Sequence, residues 1–95
     1  MAQWIKVKIS KMYMGIRSDD KVLVFFSDGA FDGWSTWVPA KLVREIDEDY
    51  FTVSTKENFV FTLQKIVRDE FGRWKVIDTS SMSGKTFISI FDRML

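Results

Sequence analysis

Residues 21–39, KVLVFFSDGAFDGWSTWVP, decide the fold. Lys21 to Ser27 is apolar at both parities, the pattern of a strand covered on both faces and therefore central in its sheet. Ser27 to Gly33 holds two Asp and two Gly around Phe31, which is the chemistry of a hairpin loop longer than the minimal one. Trp34 to Val38 returns from that loop. Pro39, the only proline of the chain, stops the strand because it has no N–H to give to a ladder. The stretch predicts an antiparallel hairpin at the heart of a β-rich domain.

Working outward, Gln3 to Ile9 alternates, with Ile5, Val7 and Ile9 on one face and Trp4, Lys6 and Lys8 on the other. Met12 to Ile16 extends this strand after a bend, and Asp19-Asp20 marks a turn. Beyond the hairpin, Pro39 to Val43 suits one helical turn with proline at its first position. Arg44 to Ile46 resumes extended structure before the acidic turn Asp47-Glu48-Asp49. Tyr50 to Ser54 and Phe59 to Arg68 are strands joined through Lys56-Glu57-Asn58. The alternation of Phe59, Phe61 and Leu63 slips at Gln64 and Lys65, which predicts a bulge or a sharp bend. Asp69 to Gly72 turns the chain into Arg73–Ile77. Phe87, Ile90, Phe91 and Met94 then fall at the spacing of a helix packed on a core, with Ser81 or Ser83 as its cap, although Thr86, Phe87, Ile88 and Ile90 are residue types that favour strands. The expected fold is a single domain over residues 1–95, mainly β or α+β. It is either a strongly bent antiparallel sheet or a small open barrel of about six or seven strands, with a C-terminal helix.

Composition narrows the chemistry. Four Trp, two Tyr and nine Phe stand in a chain of 95 residues that has no His and no Cys, which removes thiol chemistry and imidazole proton transfer while leaving ample capacity for stacking and apolar contact. The formal net charge is only +1, but it is unevenly spread. Residues 1–17 carry Lys6, Lys8, Lys11 and Arg17 and no acid; residues 18–49 carry eight acids against three bases; the remainder carries seven bases against five acids. Segregated charge orients a partner even when the total is near zero, unless the opposite charges pair across neighbouring strands. No stretch approaches the ~18 consecutive apolar residues of a membrane span, and no signal-peptide pattern opens the chain, so the expectation is a cytoplasmic protein without membrane contact.

Four constellations bear on function. Ser83-Gly84-Lys85-Thr86 has the ending of a phosphate-binding loop, but Thr79 stands where the opening glycine belongs, and a capped helix start explains the string equally. Glu45, Asp47, Glu48 and Asp49, with Asp28 and Asp32, are carboxylate clusters without the spacing of a calcium loop; solvated turns or an acidic face for a partner account for them. Trp4, Lys6, Lys8, Lys11, Tyr13, Arg73, Trp74 and Lys75 combine rings and cations as single-strand nucleic-acid binders do, provided the first strand and the Arg73–Ile77 strand are neighbours. Phe31, Trp34, Trp37 and Tyr50 gather near flexible loops. Because Trp34 and Trp37, Phe25 and Phe26, and Tyr50 and Phe51 have opposite parity, one of each pair must meet a second layer, a partner or solvent. The leading expectation is a non-enzymatic binding module that needs no metal or cofactor. It uses Phe31, Trp34, Trp37 and Tyr50 as anchors and Glu45, Asp47, Glu48 and Asp49 for orientation, on a protein partner or a second copy of itself. The alternative is a single-strand nucleic-acid binder.

Lys21 to Ile46 also resembles a pattern in short accessory proteins of phages and other mobile elements. There an apolar strand, an Asp-Gly turn and a Trp-x-Pro strand end are followed by a basic and an aliphatic residue. The matching residues are Asp32, Gly33, Trp37, Pro39, Lys41 and Leu42, while Ala40 stands where the pattern usually places Lys. The resemblance implies an accessory protein that binds and modulates a host or phage protein, for example as an inhibitor. It assigns no functional residue.

Overall fold

The computed structural model describes residues 3–27 and 29–93; Asp28 and Met94, invoked above, lie outside them. Among the described residues eight strands and one helix follow in order: β1 (Ile5–Ser10), β2 (Met14–Arg17), β3 (Lys21–Phe25), β4 (Trp34–Pro39), β5 (Val43–Glu45), β6 (Tyr50–Thr55), β7 (Val60–Arg68), β8 (Trp74–Ser83) and α1 (Gly84–Arg93). They form two antiparallel sheets, β1-β6-β5 and β2-β3-β4-β7-β8. The fold is mainly β with a C-terminal helix, and neither sheet closes into a barrel.

Two tight 3-10 turns carry the chain from one sheet to the other. Lys11–Tyr13 does so after β1, where the Ser10 hydroxyl accepts from the Met12 N–H, and Ala40–Leu42 does so after Pro39. The bend expected after Ile9 is therefore a change of sheet, and one expected strand becomes two. β3 is an interior strand, flanked by β2 and β4, and as its double apolar parity implies Val22, Leu23 and Val24 are all buried. The slip expected at Gln64 and Lys65 coincides with a register shift between Lys65 and Ile66, whose extra residue stands on β8 and not on β7. The strand expected over Arg73–Ile77 runs on to Ser83, because β8 pairs its backbone with β7 along its whole length and needs no apolar side chains to do so.

The core lies between the sheets. Val7, Ile9, Phe51 and Val53 come from the smaller sheet and Val24, Val38, Phe61 and Leu63 from the larger, with Phe87, Ile90 and Phe91 of α1 filling the space between them. The Phe87 ring stacks on Phe61 at 4.3 Å and 18°, meets Phe26 edge-on at 5.9 Å, and lies 4.8 Å from Phe91. Ser83 caps the helix by accepting from the Thr86 N–H. Buried Ser35 and Thr36 in β4 donate to the carbonyls of Gln64 and Thr62, so their hydroxyls cost nothing unpaired. Of the opposite-parity pairs, Phe26 and Phe51 are buried, while Phe25, Trp34, Trp37 and Tyr50 are half-buried.

Candidate protein-binding surface

The largest accumulation of uncovered apolar surface lies on the β7–β8 hairpin. Val67, Phe71, Trp74, Val76 and Ile77 are all exposed, from 38% at Val67 to 74% at Phe71. Isolated exposed apolar residues are ordinary, but several on one element mark a candidate interaction site; Trp74 and Val76 share one face of this hairpin, and Val67 lies on the other. Throughout Trp74–Ser81 every residue of β8 is exposed, and β8 is the edge of its sheet.

The hairpin is held rigid at its tip. Asp69 accepts the Phe71 and Arg73 N–H groups on Oδ1, both at 2.9 Å, and the Arg73 guanidinium on Oδ2 at 3.2 Å. Gly72 supplies the left-handed backbone of the turn, with φ +78°. Phe71 is thus presented on a fixed tip with the Arg73 guanidinium 5.2 Å from its ring, and Arg68 lies 4.9 Å over Trp74. A pre-ordered apolar tip loses little entropy when it docks.

The bulge sets which side chains share a face. Lys65 is opposite Asp78 and Ile66 opposite Val76, so Ile77 is the extra residue. Val67 is opposite Lys75. Since residues 65 and 67 lie on one face of β7, Lys75 and Asp78 lie on one face of β8, three positions apart, which a regular strand forbids.

The anchors expected from sequence sit elsewhere. Phe31 and Trp34 pack against the core, with the Phe31 ring 6.3 Å from Phe26. Trp37 is half-buried opposite Leu23 with the Lys21 ammonium 4.6 Å over its ring, and Tyr50 is covered by the Lys8 ammonium at 4.2 Å. Much of the area that these four would offer a partner is already taken within the chain. In the acidic turn, Asp47 accepts the Asp49 and Tyr50 N–H groups, and Glu45 pairs with Arg17 at 2.6 Å and Lys11 at 3.9 Å. Only Glu48 and Asp49 point unengaged carboxylates to solvent among these four.

No protein-family model matches the chain, and neither a curated protein nor a solved structure matches it. The surface itself carries the functional reading.

The residues of the nucleic-acid alternative are split. Trp4, Lys6 and Lys8 lie on or beside β1 in the smaller sheet, whereas Arg73, Trp74 and Lys75 belong to the far edge of the larger one. The neighbouring pair of strands on which that surface depended does not form, because β1 pairs with β6 and β8 with β7. Lys11 turns to Glu45, Tyr13 packs on Phe91 at 6.2 Å, and Arg73 is held by Asp69. Sequence reasoning missed Val67, Phe71, Val76 and Ile77. Their signal is that Val67, Trp74, Val76 and Ile77 put apolar side chains at both parities of one hairpin.

Proposed function

We propose that this chain is a non-enzymatic protein-binding module whose docking element is the β7–β8 hairpin, and that the partner it is shaped to accept is a second copy of itself. The observation that carries the reading is the exposed, rigid, apolar hairpin. Its charge supports a protein rather than a polyanion: residues 65–78 hold Lys65, Arg68, Arg73 and Lys75 against Asp69, Glu70 and Asp78. Covering half-exposed side chains such as Trp74, Val76 and Ile77 is favourable by roughly 25 cal/mol for each Å² removed from water.

The bulge selects the partner. On an edge strand a bulge and a lysine ordinarily discourage pairing. In β8 they favour one arrangement, an antiparallel copy related by a two-fold axis between Val76 and Ile77. Lys75 of each copy then faces Asp78 of the other on the same face of the joined sheet, Trp74 lies across from Thr79, and the two bulges oppose each other. A foreign strand without that bulge cannot follow this register.

The test is a charge swap followed by light scattering across a concentration series. Wild type is expected to dimerise. Lys75→Asp and Asp78→Lys each replace two attractive pairs by two repulsive ones, so each alone should weaken the dimer by about tenfold or more, given roughly 0.2–1 kcal/mol for every exposed pair gained or lost. Mixing the two variants, or combining both changes in one chain, restores complementarity and should restore dimerisation. A wild-type chain that stays monomeric at every concentration would falsify the proposal, and a mixture that fails to pair would overturn the register.

A further inference from the structure

A second surface, on the other sheet, carries a different chemistry. The outer face of β1-β6-β5 alternates away from the core: Val7, Ile9, Phe51 and Val53 point inward, so Lys6, Lys8, Thr52, Ser54 and Arg44 point outward. The register arranges them in rows. Lys6 lies opposite Ser54, and Thr52 has Lys8 on one side and Arg44 on the other. Cations on the two outer strands thus flank hydroxyls on the central one. Lys41, from the 3-10 turn beside β5, joins them along a groove of about 140 Å³ lined also by Leu42 and Val43.

Among the described residues no carboxylate lines this groove. The three ion pairs found among the described residues engage Lys11, Arg17 and Arg73, leaving Lys6, Lys41 and Arg44 without an acidic partner. The Thr52 hydroxyl donates to the Arg44 carbonyl at 3.4 Å, while the Ser54 hydroxyl has no partner among the described residues and is free to donate into the groove. Three like charges converging on one concavity repel one another, and an oxyanion relieves that repulsion while accepting from guanidinium, ammonium and hydroxyl together. One step further along the same strands the Lys56 ammonium lies 4.9 Å over the exposed Trp4 ring, which offers an aromatic platform beside the charged groove.

We propose that this groove binds a phosphate group, with Lys6, Lys41, Arg44 and Ser54 as its ligands and Trp4 placed for the base that the phosphate carries. The acidic turn Asp47-Glu48-Asp49 closes the β5–β6 end of the face and repels any polyanion that continues past it. The ligand is accordingly a nucleotide or the terminus of a single strand rather than a long duplex. This site shares no residue with the β8 interface, so the two proposals stand or fall separately.

The probes are inorganic pyrophosphate and a short thymidine oligonucleotide, titrated into the full chain at about 50 mM salt and followed by amide chemical shifts. Binding is expected to perturb Lys6, Arg44 and Ser54, and to weaken as salt rises. Arg44→Ala and Lys6→Ala should each reduce affinity by about tenfold, whereas Ile16→Ala, an exposed change on the other sheet, should leave it unchanged. Pyrophosphate that displaces the oligonucleotide shows that the phosphate alone suffices; binding of the oligonucleotide alone, lost in Arg44→Ala and weakened in Trp4→Ala, assigns the site to strand ends. If neither probe binds, or if Arg44→Ala and Lys6→Ala bind as wild type does, the site is refuted.

Discussion

Phe87→Ala is expected to leave the protein largely unfolded at room temperature. Phe87 is fully buried and anchors the helix on the larger sheet, touching Phe61 from β7, Phe26 beyond β3 and Phe91 one turn along. Truncating a buried Phe to Ala costs roughly 3–5 kcal/mol through lost transfer energy and the cavity left behind. The stacked and edge-on ring pairs add about 0.5–1.5 kcal/mol each beyond their area. A domain of this size has only about 5–15 kcal/mol in total, so the loss removes most of the margin. Urea unfolding followed by far-ultraviolet circular dichroism should show the midpoint collapse toward zero denaturant. Trp74→Ala, a similarly large change on an exposed strand, should change the monomer's unfolding free energy by no more than about 0.5 kcal/mol. Equal effects from the two substitutions would mean that Phe87 does not anchor α1 in the core.

That contrast also measures how much of the molecule was legible in its residues. The stripe Phe87, Ile90, Phe91 read as a helix against the strand preference of its neighbours, since burial of one face outweighs intrinsic propensity. The slip at Gln64 and Lys65 marked the place where the pairing shifts, although the residue gained there is Ile77 on the partner strand β8 and not one of β7. The division into two sheets was not legible. The turns Lys11–Tyr13 and Ala40–Leu42 are each a single turn of 3-10 helix, and so short a turn leaves the flanking alternation unchanged. The second half of β8 was hidden for a different reason: Thr79, Ser80 and Ser81 hold their place through backbone hydrogen bonds, which no side-chain pattern reports. Parity established that one of Trp34 and Trp37 had to leave the core, but not that both would be half-buried while Trp74 and Phe71 were left bare. Which aromatic residues remain uncovered depends on what packs above each strand, and that is a property of the assembled sheets.

Gly84→Ala is the second large effect, and its sign separates two accounts of the Ser83-Gly84-Lys85-Thr86 string. Gly84 is the first residue of α1, and a gain of helix propensity of up to about 1 kcal/mol would make alanine stabilising there if the helix start were free. It is not free. The Gly84 N–H donates to the Phe59 carbonyl at 2.6 Å and the Lys85 N–H to the Glu57 carbonyl at 3.1 Å, so the helix start is docked on the β6–β7 turn. A Cβ on Gly84 would run into the Lys56 carbonyl oxygen, with the carbonyl carbon at 2.9 Å and the Thr55 hydroxyl at 3.2 Å. The obstruction is backbone, pinned on both sides by these hydrogen bonds and by the pairing of Thr55 with Ile5, so it cannot swing aside as a side chain would. Overpacking of this kind costs about 1–3 kcal/mol or more. Set against the propensity gain, this leaves a net loss of about 1–2 kcal/mol, which should lower the melting temperature by roughly 4–16 °C at 4–8 °C for each kcal/mol. Because the displaced carbonyl belongs to Lys56, whose ammonium covers Trp4, the indole fluorescence should change as well. A melting temperature that rises, as propensity alone demands, would show that the helix start relaxes away from the turn and that the glycine is there for some reason other than this close approach.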